Sequence, residues 1–202
     1  MNKKITYRVI ILLIIFCIFL NTSNLTARSY QATIPINITV NGKLIITDAE
    51  NDNKAGTDPT LNVVLKLTPE LDNQTISGKS SVRIRTNLNN WKLSAQRINP
   101  GNLNSNIKPE DVQLSFSTQN GSKANSNAGK LISPFDGLTT LGQISSNKST
   151  DILIGQSKTS VDKDPGNKNN WFQLTSSYSI TPDFLFEIGE WNTTVTYNLV
   201  SP

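Results

Sequence analysis

Apolar and polar residues alternate along most of this chain, with a period of two. Ile34, Ile36, Ile38 and Val40 share one side of an extended backbone, and Thr33, Pro35, Asn37 and Thr39 share the other. That is the pattern of a half-buried strand. Asn41-Gly42 follows, and then Lys43-Leu44-Ile45-Ile46. Both turn residues accept positive φ, so the pair predicts a hairpin joining the two runs. Leu61, Val63, Leu65 and Leu67 predict the next strand, ended by Thr68-Pro69. Val82 and Ile84 alternate with Arg83 and Arg85, and after a polar turn Trp91, Leu93 and Ala95 resume the pattern.

Further strands are predicted at Val112, Leu114 and Phe116, at Ile152 and Ile154, and from Phe172 through Ile180. Phe184, Phe186 and Ile188 predict another, and Trp191, Thr193, Val195, Tyr197 and Leu199 line one face of the last. No helical period of 3.6 is sustained, and Lys108-Pro109-Glu110-Asp111 suits a single turn at most. About nine short strands separated by Gly, Asn and Pro predict an all-β fold, an immunoglobulin-like antiparallel β-sandwich. The Asn- and Ser-rich stretches 101–106, 120–129 and 163–170 read as solvated loops within it.

The start of the chain follows a different rule. Lys3, Lys4 and Arg8 precede an unbroken apolar run, Ile10–Leu20, and a polar stretch comes after it. That order is the mark of a secretory signal peptide. The run is short beside the roughly 20 residues of a membrane span, so the membrane would be met only through an uncleaved signal anchor. The expected division is a signal peptide over 1–29, cleaved near Ala27 or Ser29, and a single sandwich domain over 30–202.

This division changes the meaning of the charge. Cleavage after Ala27 removes Lys3, Lys4 and Arg8 and lowers the cations from 19 to 16 against 15 acids, a net charge of about +1; cleavage after Ser29 also removes Arg28 and leaves about zero. The basic balance of the whole chain is then mostly a targeting signal, and no nucleic-acid partner is expected. The only cysteine, Cys17, leaves with the same segment, so stability has to come from core burial and not from disulfides.

Composition narrows the chemistry further. The chain has no histidine, and Asn, Ser and Thr make up 67 of its 202 residues. Triads or metal centres that need imidazole, and sites built on cysteine clusters, are excluded. Asp48, Glu50, Asp52 and Asp58 crowd one loop, but an EF-hand would need Gly where Asn53 stands and Glu where Pro59 stands, so a solvated turn is expected. Asp183, Glu187 and Glu190 have no evident cleft in which to act as a glycosidase pair. Trp171, beside the Asn-rich loop, reads as a loop-to-strand anchor. The chain is read as non-enzymatic, with no cofactor and no metal.

Two segments carry a resemblance. Asn90-Trp91-Lys92-Leu93-Ser94-Ala95 holds a Trp-x-Leu inside a strand, and the chain closes on Tyr197-Asn198-Leu199-Val200-Ser201-Pro202. Together they resemble the WxL domain, a bacterial cell-surface domain with one Trp-x-Leu in mid-domain and another in its last strand. Here Tyr197 stands where that second motif has Trp, and Asn90 where Gly usually precedes the first.

The resemblance implies a secreted surface protein held non-covalently to cell-wall glycan or peptidoglycan, or to other surface proteins. It also implies binding through Trp91, Leu93, Tyr197 and Leu199. An alternative is a fimbrial or polymerising subunit whose strand Ile34–Val40 completes a neighbour's sheet.

Overall fold

The computed structural model describes residues 38–50, 52, 61–72, 74–98 and 105–202. The chain divides into two compact units, Met1–Val40 and Asn41–Pro202. Of the first only 38–40 are described, so the expected signal peptide, its cleavage sites and most of the Ile34–Val40 strand lie outside the described residues.

Among the described residues the second unit has nine strands: β1 (Leu44–Asp48), β2 (Ile76–Thr86), β3 (Trp91–Ile98), β4 (Gln113–Asn120), β5 (Gly129–Leu131), β6 (Thr139–Thr140), β7 (Thr150–Gly155), β8 (Phe172–Ile180) and β9 (Thr194–Val200). Every ladder is antiparallel. One sheet has the order β1-β2-β8-β4-β6 and the other β5-β7-β3-β9. The fold is therefore the expected antiparallel β-sandwich. The described residues contain no α-helix. Two short 3₁₀ turns are present, and one of them, Pro109–Asp111, is the predicted single turn.

The alternation predicted these faces because every second side chain of a strand points into the same layer. Ile84, Phe172, Leu174 and Leu114 from the first sheet meet Trp91, Leu93, Leu153 and Ala95 from the second in one buried cluster. Trp91 and Phe172 touch edge to face across the layers, centroids 6.0 Å apart. The Tyr197 and Ser176 hydroxyls bond at 2.9 Å and tie β9 to β8. Burial pushes the Tyr197 phenol well above its ordinary titration range, and the neighbouring Tyr178 adds to the shift. It remains a neutral hydroxyl at physiological pH.

Three expectations are corrected, for the segments 61–67, 152–154 and 184–188. Leu44–Asp48 pairs with Val82–Thr86 of β2, and most of its expected hairpin partner, Ile34–Val40, lies outside the described residues. The Asn87 side chain fixes this arrangement, accepting from Lys43 N at 2.8 Å and donating to Asn41 O at 2.9 Å. Leu61, Val63, Leu65 and Leu67 do alternate in burial, but the segment belongs to neither sheet's ladders. Val63 lies where a side chain on Gly78 of β2 would stand.

Ile152 and Ile154 do not share a face. The β3–β7 register shifts between Leu93 and Ser94, and this bulge turns both Ile152 and Leu153 inward and leaves Ile154 outside. Finally, Phe184–Ile188 is a loop. Asp183 closes a turn there, its side chain accepting from Leu185 N at 2.8 Å and its carbonyl from Phe186 N at 3.1 Å.

Candidate functional site

The two segments that suggested a family lie side by side. In the β3–β9 ladder Leu93 faces Leu199 and Ala95 faces Tyr197, while Lys92 faces Val200 and Ser94 faces Asn198. The named motif positions point into the sandwich. Trp91 and Leu93 are 1% and 0% exposed. Tyr197 and Leu199 are half-buried and pack on the same core. The Trp91 indole N–H donates to Ser157 O at 2.9 Å, and its ring lies where a side chain on Gly155 would have to go.

Trp91 and Leu93 thus present no surface to a ligand outside the sandwich. A large aromatic enclosed on all sides contributes its area to the core and offers nothing to a polymer outside.

What the motifs present outward is the set of residues between those positions. Lys92 and Ser94 of β3 and Asn198 and Val200 of β9 line an open groove of roughly 660 Å³ on the outer face of the four-stranded sheet. Lys148, Ser149, Thr150 and Asp151 complete it. Lys92 Nζ lies 3.0 Å from the Asp151 carboxylate, and Ser149 donates to the Ser94 hydroxyl at 2.7 Å. Lys148 is exposed and, among the described residues, forms no ion pair. The groove thus offers hydroxyls, an amide, one free ammonium and a carboxylate already neutralised by a lysine. Such a set suits hydrogen bonding to a polar chain and has no activated nucleophile.

Lys92 and Asn198 are the middle residues of Trp91-Lys92-Leu93 and Tyr197-Asn198-Leu199 and carry no aromatic or Leu signal of their own. The same alternation that buries Trp91 and Tyr197 turns their neighbours out. Lys148, Ser149 and Asp151 carry no comparable signal, since only the β3–β7 pairing brings them near.

A second polar cluster lies on the opposite sheet. The Asp52 carboxylate accepts from Arg85 at 2.6 and 2.7 Å, from Arg83 at 3.0 Å and from the Thr47 hydroxyl at 2.6 Å. The Arg83 guanidinium lies 4.2 Å from the centre of the Trp171 ring, a cation–π contact. Trp171 donates to Lys168 O at 2.9 Å, and Arg85 reaches Asn167 O and the Asn170 side chain.

Trp171 is thereby an anchor holding the Asn-rich loop to the sheet, and Asp52 is satisfied by cations. Partial burial would raise the Asp52 titration. The bonds from Arg85, Thr47 and Arg83 outweigh it and hold the carboxyl well below the usual carboxylate range. Among the described residues no group of three or more His, Cys, Asp or Glu is placed to hold a metal ion.

With Asp52 committed to arginines, millimolar calcium is expected to leave the melting temperature unchanged. A rise of several degrees that a chelator reverses would contradict this, because a ligand held by the folded state alone must stabilise it.

Fold and groove together define a two-sheet β-sandwich with a polar groove on one outer face. No family model matches the chain, and no curated protein or solved structure matches it.

Proposed function

We propose that this protein is a non-enzymatic, secreted bacterial surface module, WxL-like, that associates non-covalently with the cell wall or its polymers. The observation that carries this reading is the pairing of its two motifs. Their aromatic and leucine positions close the core, and the residues between them form a groove of amide, hydroxyl and ammonium groups. The wall polymer would lie along the outer face of β3 and β9, hydrogen-bonding Asn198, Ser149 and Thr150, with a polymer carboxylate on Lys148.

The test is co-sedimentation with purified walls. The double variant Lys148→Ala/Asn198→Ala changes only outward side chains, so its stability is expected to stay within about 0.5 kcal/mol of the parent. Its wall affinity is expected to fall about tenfold, equivalent to roughly 1.4 kcal/mol. Equal sedimentation of parent and variant would remove the groove from the reading. A parent that does not sediment with walls at all would remove wall binding itself.

A further inference from the structure

Between β8 and β9 the chain displays three large apolar side chains to solvent: Phe184, Leu185 and Ile188, exposed by 68%, 79% and 101%. The loop is pinned in this arrangement. The Asn106 side chain donates to Leu185 O at 2.8 Å and accepts from Glu187 N at 3.0 Å, while Phe186 packs on the core beneath. Burying these side chains inward would have lowered the free energy of the isolated chain, so an ordered loop that holds them out marks a contact surface. Its charge has one sign. Asp183, Glu187 and Glu190 are exposed, and no Lys or Arg lies between Thr181 and Thr193.

The outer face of the four-stranded sheet has the complementary character. Lys130, Ile154, Lys92 and Val200 are direct cross-strand partners in turn and form one row over β5, β7, β3 and β9. At about 4.8 Å per strand the row is about 14 Å long, with lysines and aliphatics alternating; Lys92 is paired with Asp151, so Lys130 brings the row's excess positive charge. Ile154 and Val200 are 46% and 39% exposed.

The two surfaces sit at opposite ends of β9. The loop feeds into Thr194, and the row crosses at Val200, six residues or about 20 Å farther along. A loop therefore cannot reach its own row, but it can reach that of another molecule.

We propose that this chain associates with copies of itself head to tail, the apolar, acidic 183–190 loop of one copy docking on the Lys130–Ile154–Lys92–Val200 row of the next. The interface is heterologous, so each added copy leaves one loop and one row free and growth does not close at a dimer. Mutual charge neutralisation favours a second copy over an anionic membrane, which the loop's carboxylates would repel. The inference stands without wall binding. Because the row borders the groove, a docked loop and a wall polymer would exclude each other.

The experiment is sedimentation velocity of the purified protein without walls, at low and high salt. The parent is expected to grow past the dimer as concentration rises toward about 1 mM, and less so in high salt, which screens exposed charges. A loop variant, Phe184→Ser/Ile188→Ser, and a row variant, Lys130→Glu/Ile154→Ser, change only exposed side chains. Each alone is expected to be a monomer. Mixed, they retain one intact loop and one intact row, and are expected to stop at a one-to-one dimer.

A parent that stays monomeric throughout overturns the proposal, as does a single variant that still grows or a mixture that does not pair. Liposome binding by the loop without self-association would also overturn it. Neither variant alters a groove-lining residue, so wall co-sedimentation of the row variant separates failure here from failure of the wall-binding reading.

Discussion

Trp91→Ala is expected to lower the stability of the protein by about 3–5 kcal/mol, the usual cost of removing a large aromatic from a packed core. The site has little room to relax. The ring stacks edge to face on Phe172, its N–H is bonded to Ser157 O, and Gly129 and Gly155 are the small residues that make space for it. Removing the side chain leaves a void between the two sheets and an unpaired carbonyl on Ser157. Trp91→Phe restores most of the volume without the hydrogen bond and is expected to recover more than half of the loss. Denaturant unfolding followed by circular dichroism measures both. A Trp91→Ala protein within 1 kcal/mol of the parent would mean the residue is not enclosed in solution. Any loss of wall binding by Trp91→Ala would follow from unfolding, so the groove variants are the proper probe of binding.

Asp52→Asn is expected to cost about 2–3 kcal/mol, because it leaves two half-buried guanidinium groups facing a neutral amide. The pH dependence has a definite sign. Asp52 titrates lower in the folded protein than its ordinary 3.8, so the fold favours the ionised carboxylate. As pH falls through 3.8 the unfolded chain takes up the proton first. The contribution is therefore complete above that region and is lost progressively as pH drops toward the folded value. Melting temperatures of parent and Asp52→Asn should differ most at pH 6 and 7, and the gap should narrow steadily as pH falls below 3.8. A gap that stayed constant over that range would show that the Asp52 charge is not what joins this loop to β2.

How far the sequence reached depended on what kind of information each feature needs. Alternation of apolar residues is local, a property of neighbouring positions on one strand. It was enough to predict an all-β fold and to group the residues that share a face on β2, β3, β8 and β9, but not to tell whether Trp91 and Tyr197 serve the core or a ligand. β5 and β6 escaped because strands of three and two residues are too short for alternation to stand out.

The candidate site was legible only by half. Lys92 and Asn198 follow from the same alternation as outward neighbours of the motif residues, but Lys148, Ser149 and Asp151 join them through a pairing between distant segments.

Pairing, register and charge matching are non-local, and tertiary structure alone decided them. It joined Leu44–Asp48 to Val82–Thr86 of β2, with Asn87 holding the Asn41 and Lys43 backbones. It inserted one residue of β7 into the ladder and so reversed the faces of Leu153 and Ile154, which no local pattern records. It assigned Asp52 to Arg83 and Arg85, more than 30 residues away, so that an apparent acidic cluster became an ion-pair network. And it held the Phe184–Ile188 run out as a loop, because Asn106 and Asp183 satisfy the backbone groups that a strand partner would otherwise have taken. A period-two pattern specifies which side of a strand is apolar; which backbone lies alongside is set by competition among all the edges and side-chain partners that the folded chain brings together.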